Sequence, residues 1–290
     1  MATNTPFGQR LGLVLEGGAM RGIYTAGVLD VFLEAGIMPD VVVGVSAGAL
    51  HGCSYVAGQK GRSIRYYRKY RSDKHFMGLY SLLTTGDVVG TKFCYEDIPL
   101  RLDPFNEAAF EKAPVDFYVT VTNVRTGKPE YILCDELKVG SKMDVIRAGA
   151  SMPLCSKMVE WNGNLYLDGG VSDSIPYAKT KDFGCCKSIV VLTQPAGYLK
   201  QPAAMAPFEA MYRKYPAFVE AMRGRDQMYN TEVCAVEQAA KQGDVFLIRP
   251  SKLLHVGRME HDIEVLNAQY ELGRQDARNQ MDAMREWMER

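Results

Sequence analysis

Ser46 lies in a Gly-x-Ser-x-Gly pattern, residues 44–48, which follows the apolar run 41–43. In a turn between a strand and a helix, this pattern holds a serine on a sharp elbow, with its hydroxyl directed away from the sheet. Gly44 and Gly48 suit the elbow because a side chain at either position would collide where backbone segments approach closely. The serine can act as a nucleophile in acyl transfer if a neighbouring base takes its proton. The prediction therefore depends on finding an oxyanion site and a base elsewhere in the chain.

A glycine-rich turn at residues 17–22 follows the apolar segment 11–15 and precedes a helical pattern. The first amides of a helix have no intrahelical partners, and the positive end of the helix dipole faces the same way. We therefore predict that this turn binds an oxyanion, where each preorganised donor contributes about 3 to 4 kcal/mol. The predicted residues are Gly17, Gly18, Ala19, Arg21 and Gly22, with Arg21 adding positive charge or bracing the turn. The spacing excludes dinucleotide and Walker-type phosphate loops.

Asp168 is the favoured base because it ends a predicted strand and precedes Gly169 and Gly170, where a tight turn can present its carboxylate. The alternative function for this residue is to cap the turn. A carboxylate with an ordinary pKa of about 4 is a weak base, so we expect burial to raise its pKa. A Ser-His-Asp triad in the usual hydrolase order would instead need His255 or His261, and neither lies in a supporting motif.

The segments around these residues predict an α/β fold. Two consecutive strand–helix units, 11–35 and 40–57, indicate a doubly wound, mostly parallel central sheet with helices on both faces. Further predicted strands are 116–123, 130–134, 188–193 and 245–248, with a hairpin over 159–167 that turns at Asn162-Gly163. Ser141 is predicted to cap a helix that runs to about residue 151. We predict a single domain over 1–290, with a core of about 11–195, a mainly helical C-terminal extension of about 196–290, and a last helix from about residue 260.

Composition narrows the class of protein. The 290 residues carry 34 Lys plus Arg and 34 Asp plus Glu, so charge does not indicate nucleic-acid binding. Seven cysteines without a Cys-x-x-Cys pair do not indicate a disulfide framework, and no Cys/His spacing indicates zinc. The polar residues 1–10 do not resemble a secretory signal, and no apolar run reaches about 20 residues. We expect a cytoplasmic protein without metal or cofactor that contacts the inner membrane face peripherally at most.

Three other segments bear on lipid binding. A predicted helix places Arg62, Arg65 and Lys69 along one face. A solvated face is the favoured interpretation, and a patch for anionic headgroups is the alternative. For the apolar segment 76–83 and the Met and aromatic stripe of 211–222, core packing is favoured over an acyl-chain cleft.

Taken together, these motifs resemble the patatin-like phospholipase family, over about residues 11–195. The matching pieces are the turn 17–22, the elbow 44–48 and the segment 168–170, and residues 148–153 also resemble a family segment. The resemblance implies a lipid acyl hydrolase with a Ser-Asp dyad. Ser46 would form an acyl-enzyme, Asp168 would act as the base in both half-reactions, and the turn amides would hold the tetrahedral oxyanion.

Two tail segments, 248–251 and 270–274, are similar to a bacterial subgroup of patatin-like proteins. Two positions depart from the family pattern: many members have glycine where this chain has Ala19, and Asp or Gly where it has Glu16. A methyl group at Ala19 narrows the turn but leaves its N–H in place. Two alternatives stay open, namely a non-catalytic lipid- or partner-binding protein on the same fold and a carboxylesterase with a Ser-His-Asp triad. The sequence does not indicate the headgroup, the acyl length or the oligomeric state.

Overall fold

A computed structural model describes residues 6–290. Residues 1–5, half of the segment considered for a signal sequence, lie outside the described part. The chain forms one eight-stranded sheet in the order β5-β6-β3-β2-β1-β7-β8, with β4 paired to β3. The strands are β1 (Arg10–Leu15), β2 (Val41–Val45), β3 (Asp116–Asn123), β4 (Pro129–Leu133), β5 (Val159–Trp161), β6 (Asn164–Asp168), β7 (Cys185–Val191) and β8 (Val245–Ile248).

The central strands are parallel, as the strand–helix units predict. Parallel pairs join β3 to β2, β2 to β1, β1 to β7 and β7 to β8. The pairs β3–β4, β3–β6 and β5–β6 are antiparallel. Residues 13–15 and 41–43 are completely buried, as expected for parallel strands covered on both faces. The predicted α/β class is confirmed, and the hairpin β5–β6 turns at Asn162 and Gly163, both with positive φ as an Asn-Gly turn requires.

Most of the α-helices lie in the connections between strands, and the last two follow β8. They are α1 (Ile23–Ala35), α2 (Ala47–Val56), α3 (Arg62–Tyr70), α4 (Leu79–Thr85), α5 (Glu107–Lys112), α6 (Met143–Gly149), α7 (Tyr177–Asp182), α8 (Ala206–Met211), α9 (Pro216–Arg223), α10 (Arg225–Gln242), α11 (Ile263–Asn279) and α12 (Met281–Glu289). A 3₁₀ turn, Ala19–Gly22, leads into α1, and a π-helical segment, Phe93–Leu102, lies between α4 and α5.

The C-terminal segment packs directly on the sheet and on α1. Strand β8 extends the sheet beyond β7. Helix α11 crosses α1 so closely that a Cβ on Gly27 would collide with the Tyr270 carbonyl, and one on Gly273 with the Tyr24 carbonyl. The two glycines therefore allow backbone contact between the helices. The prediction of a single last helix is wrong in detail, because the structure has two helices there, α11 and α12, which meet at Gln280.

Two local predictions, the Ser141 cap and the basic helix face, differ from the structure. Ser141 caps no helix, because its hydroxyl donates to Glu136 at 2.6 Å and α6 begins at Met143. Arg62 is buried and donates to the Asp103 carbonyl, while Arg65 forms a bidentate pair with the Asp103 carboxylate at 2.6 and 2.8 Å. The solvated face is therefore wrong for Arg62, whereas Arg65 and Lys69 are exposed as that interpretation predicts.

The apolar segment 76–83 is divided between two environments. Phe76 and Met77 line a cavity, but Leu79 and Leu83 are 70% and 76% exposed, so core packing is wrong for α4. In the later stripe, Tyr212, Phe218, Val219 and Met222 are buried together, so core packing is confirmed there.

Candidate active site

Ser46 stands at the sharp turn between β2 and α2. Its backbone has φ 53° and ψ −123°, a conformation that residues other than glycine rarely adopt. Strain of this kind is typical of a serine held on an elbow, where it costs on the order of 1–3 kcal/mol. A Cβ on Gly44 would lie 2.5 Å from the Ala49 Cα, and one on Gly48 would collide with the Leu15 carbonyl. The two elbow glycines thus permit the close packing of α2 against the sheet.

Strand β3 brings the ends of β2 and β6 together. Its residues 118–122 pair with β4 along one edge, so β2 and β6 share the other edge. On that edge Val45 of β2 pairs with Thr120, and Asp168 of β6 pairs with the next residue of β3, Val121. The two strands run in opposite directions and meet end to end. Asp168 therefore lies beside the residue that follows Val45, which is Ser46.

Asp168 is 5% exposed and Ser46 is 8% exposed. Burial raises the pKa of Asp168, and four groups oppose this: a hydrogen bond with Ser46, the positive charge of Arg225, the Gly170 amide and the positive charge of Lys200. That amide donates to the Asp168 carboxylate at 2.8 Å. A Cβ on Gly169 would collide with the Thr120 carbonyl, so the Asp-Gly-Gly turn can pack against β3 only with glycine at that position. The geometry thus joins a buried carboxylate to a strained serine.

The glycine-rich turn lies directly against Ser46. A Cβ on Gly17 would be 2.8 Å from the Ser46 Cβ, so only glycine allows this approach. Within residues 6–290, the amides of Gly17, Gly18 and Ala19 donate to no protein group. Ala19 has φ 49°, in the region that favours glycine, which gives a physical reason for the glycine of the family pattern. Gly22 also permits close packing, because its Cβ would lie 2.6 Å from the Ala47 Cβ.

Glu16, which directly precedes this turn, forms hydrogen bonds with two other parts of the chain. Its buried carboxyl accepts hydrogen bonds from the Thr193 amide at 2.5 Å and the Tyr229 hydroxyl at 3.0 Å. The Thr193 hydroxyl in turn donates to the Gly17 carbonyl at 3.2 Å. Burial raises the pKa of Glu16, and these two hydrogen bonds oppose that shift. Glu16 therefore ties the turn both to the end of β7 and to α10 of the C-terminal extension.

An apolar cavity opens on one side of Ser46, with about 930 Å³ of empty volume. Its lining includes Met20, Leu50, Tyr67, Phe76, Ile98, Ile146 and Met152, from the turn, α2, α3, the π-helical segment, α6 and the loops between them. Ligand sites in proteins are concave and lined mainly by apolar side chains, as this cavity is. It provides room for an acyl chain next to the serine hydroxyl.

A second cavity, of about 970 Å³, lies on the other side of Ser46 and contains more charged side chains than the first, so we call it the polar cavity. Ala19, Ser46 and Met152 line both cavities. The charged residues of the second cavity are Glu16, Arg21, Asp168, Lys200, Arg225 and Arg258. Sequence reasoning missed the last three, because they come from the C-terminal extension and no local motif marks them. Their proximity depends on how the loop at residue 200, α10 and the loop before α11 pack over the end of the sheet.

Neither histidine considered for a triad lies at the site. His255 and His261 are exposed and line neither cavity that contains Ser46. His51 in α2 is buried, and burial lowers its pKa to about 4. Both of its ring nitrogens lack a hydrogen-bond partner in the described structure, so it is a neutral core residue. No group of three His, Cys, Asp or Glu side chains suited to a metal occurs in residues 6–290.

Comparison with known proteins identifies the family of this chain. The family model described as patatin-like phospholipase matches residues 13–179. The chain belongs to the patatin-like phospholipase family. The second match, over residues 215–289, is to a domain of unknown function, DUF6363. Family membership supports lipid hydrolase activity for this chain.

Several curated relatives are similar to it. The Escherichia coli protein YjjU is 28% identical over 273 residues, covering 91% of this chain and 75% of YjjU. Lysophospholipase nte1 of Aspergillus terreus is 29% identical over 182 residues, and the match covers 61% of this chain but 11% of that protein. The Saccharomyces cerevisiae lysophospholipase is 30% identical over 184 residues, with 61% and 10% covered. The matched segment thus spans about a tenth of the length of these lysophospholipases.

Among solved structures, VipD from Legionella pneumophila aligns with a TM-score of 0.47 at 13% identity, covering 96% of this chain and 67% of VipD. Within the described residues, no helix is both long and apolar enough to cross a membrane.

Proposed function

We propose that this patatin-like protein is a lipid acyl hydrolase, a carboxylic ester hydrolase in which Ser46 is the nucleophile and Asp168 the base. The observation that carries the proposal is the meeting of β2 and β6 on one edge of β3, which places the Asp168 carboxylate at the strained serine. Burial supports the role of base because it raises the pKa of Asp168 toward the pH at which the enzyme would work.

In the proposed reaction, the Ser46 oxygen attacks the ester carbonyl carbon while Asp168 takes the hydroxyl proton. The amides of Gly17, Gly18 and Ala19 stabilise the resulting oxyanion, since they are free to donate and lie against the serine. Collapse of the tetrahedral intermediate releases the alcohol, which takes the proton from Asp168. A water molecule then attacks the acyl-enzyme, Asp168 takes a proton from that water, and the fatty acid leaves as Ser46 is reprotonated.

The apolar cavity supports a lipid substrate. It begins at Ser46 and is lined largely by apolar side chains, so it suits an acyl chain better than a polar substituent. Exposed leucines in α4 support peripheral contact with a membrane, because α4 follows Phe76 and Met77 of the cavity wall. The enzyme would then withdraw single lipids from the surface of a bilayer, with its acyl cavity near the point of contact.

The test is labelling by a fluorophosphonate probe together with hydrolysis of a lipid panel. We expect the probe to label wild type at Ser46, and Ser46→Ala to lose both labelling and release of fatty acid. The matched control is Ser251→Ala, because Ser251 is exposed and lines neither cavity beside Ser46. Absence of both labelling and ester turnover in wild type would favour a binding protein on the same fold. Full activity in Ser46→Ala would refute the proposed chemistry.

A further inference from the structure

The polar cavity combines residues of the patatin-like core with residues that lie beyond it. Arg21 comes from the glycine-rich turn, whereas Lys200, Arg225 and Arg258 all follow residue 179, where the family match ends. Arg225 and Arg258 fall within the region that matches the domain of unknown function. The C-terminal extension thus supplies three of the four cationic side chains in a cavity that Ser46 also lines.

The four cations of this cavity outnumber its two carboxylates, those of Glu16 and Asp168. None of the four cations forms an ion pair with a carboxylate in residues 6–290, although Arg225 donates to the Gly170 carbonyl at 2.5 Å. The Nε atom of Arg21 is buried and has no partner in the described structure. Burial, followed by repulsion from Arg225, lowers the pKa of Lys200 to about 8. A net excess of positive charge in a partly enclosed cavity is stabilised when an anion binds.

The chemistry of the lining favours phosphate. Guanidinium groups donate pairs of hydrogen bonds to phosphate oxygens, and a lysine adds a point charge. A quaternary ammonium group would need an acidic or aromatic partner. Glu16 is already engaged by Thr193 and Tyr229, and the Tyr229 ring is covered by the Lys200 ammonium, 4.1 Å from its centroid. Phe208 and Asp168 also line the cavity, but its cations outnumber its carboxylates, so a choline headgroup would still meet a net positive charge.

We infer that the C-terminal extension completes a subsite for the phosphate of an anionic lipid headgroup, so that the enzyme selects net-negative headgroups over zwitterionic choline. With the ester carbonyl at Ser46, the acyl chain would lie in the apolar cavity and the phosphate in the polar one, because the two cavities meet at Ala19, Ser46 and Met152. The inference rests on the proposed function for the identity of the reacting ester. The location of the subsite depends on the lining residues alone.

The first test measures binding to the full-length protein without turnover. Three ether lipids that contain no ester are titrated by calorimetry below their critical micelle concentrations: 1-O-hexadecylglycerol 3-phosphate, its phosphocholine counterpart and 1-O-hexadecylglycerol. We expect the phosphate monoester to bind at least about tenfold more tightly than the other two, which corresponds to about 1.4 kcal/mol. Equal affinity for the phosphate and choline lipids would overturn the inference. Inorganic phosphate is titrated as well, and binding as tight as that of the ether lipid would assign the site to free phosphate instead.

The second test uses variants with matched controls. Lys200→Met and Arg258→Met should each reduce the preference for the phosphate lipid over the choline lipid about tenfold. Arg258 is exposed at the cavity rim, so its replacement does not endanger folding. The controls Lys214→Met and Arg213→Met remove exposed cations that line neither cavity beside Ser46 and should keep the preference. An unchanged preference in both Lys200→Met and Arg258→Met would overturn the inference.

These outcomes separate the two proposals. Headgroup selection in binding, without hydrolysis of the corresponding ester lipids, would refute the hydrolase and retain the subsite. Hydrolysis that depends on Ser46, without headgroup selection in binding, would retain the hydrolase and refute the subsite.

Discussion

The Tyr229 hydroxyl, in α10, donates a hydrogen bond of 3.0 Å to the buried carboxyl of Glu16, at the end of β1. This contact joins the C-terminal extension to the residue that directly precedes the glycine-rich turn. In the proposed reaction the turn amides must be held in place to stabilise an oxyanion, so the extension would contribute to the geometry of that reaction centre as well as to the polar cavity.

We expect Tyr229→Phe to lower the free energy of unfolding by about 1–3 kcal/mol, because a buried carboxyl loses a hydrogen-bond donor. The kcat for a small ester should fall about tenfold as the turn loosens. Urea unfolding and steady-state kinetics measure the two effects. Tyr198→Phe is the matched control, since the Tyr198 ring packs against that of Tyr229 with centroids 6.0 Å apart. An equal loss in both variants would show that general packing, and not the bond to Glu16, supports the turn.

A second prediction concerns Asp168, which must be ionised to accept a proton. Burial raises its pKa, so kcat/KM should rise with pH. The midpoint of this rise, the acid limb of the pH profile, should lie above 3.8, the ordinary pKa of the side chain. Asp168→Asn should reduce kcat/KM by about 10³-fold and remove this limb. The positive charge of Arg225 lowers the pKa of Asp168, so Arg225→Gln should move the limb to higher pH. An acid limb that Arg225→Gln leaves in place, or that moves to lower pH, would assign the limb to another group.

Much of this arrangement is predictable from local patterns. The elbow, the glycine-rich turn and the Asp-Gly-Gly segment each follow a strand, and short-range sterics require glycine at defined positions in them. The meeting of Ser46 and Asp168 depends on β2 and β6 sharing an edge of β3, which is a property of the sheet and not of either segment. The local patterns therefore indicate Ser46 and Asp168 as candidates, but they do not show that the sheet brings these two residues together.

The remaining differences come from long-range packing. The pattern of Arg62 and Arg65 indicates a helical face, but their environment is set by Asp103, which lies 38 residues or more away in sequence. Lys200 and Arg258 reach the polar cavity only because α11 packs on α1 and α10 packs beside β8. No periodicity within a segment contains that information.

A third prediction tests the apolar cavity as the site of the acyl chain. Ala150 follows α6 and lines this cavity, so Ala150→Phe should fill part of it without replacing a helical residue. We expect the ratio of kcat/KM for a 16-carbon ester over a 4-carbon ester to fall about tenfold, because the longer chain loses buried contacts. Ala203→Phe, at an exposed position, is the control. A ratio that stays constant in Ala150→Phe would place the acyl chain elsewhere.

A fourth prediction concerns membrane contact through α4. Leu79 and Leu83 are 70% and 76% exposed, and their transfer into a lipid interface is favourable. The double substitution Leu79→Asp and Leu83→Asp should reduce sedimentation with lipid vesicles at least about fivefold. Leu253→Asp, at another exposed leucine, should bind vesicles as wild type does. Undiminished sedimentation of the double variant would exclude α4 as the membrane contact.

A final prediction follows from a buried carboxyl pair behind the Asp-Gly-Gly turn. Burial, and then the charge and hydrogen bond of Asp173, raise the pKa of Glu232 to about 9 from an ordinary value of 4.5. The folded protein therefore holds a proton that the unfolded chain releases. This contribution to stability is complete below pH 4.5 and is lost as pH rises toward about 9.

Glu232→Gln should remove this pH dependence. The amide oxygen can still accept from the Ser174 and Ile175 amides, at 3.1 and 3.0 Å in wild type, and its NH₂ group can donate to Asp173. The Tm of the variant minus that of wild type should therefore become more positive from pH 5 to pH 9. The change should be about 2–4 °C for each kcal/mol of stability that wild type loses over this range. Differential scanning calorimetry across this range measures the difference, with exposed Glu271→Gln as the control. A difference in Tm that is constant with pH would mean that Glu232 is ionised in the folded protein.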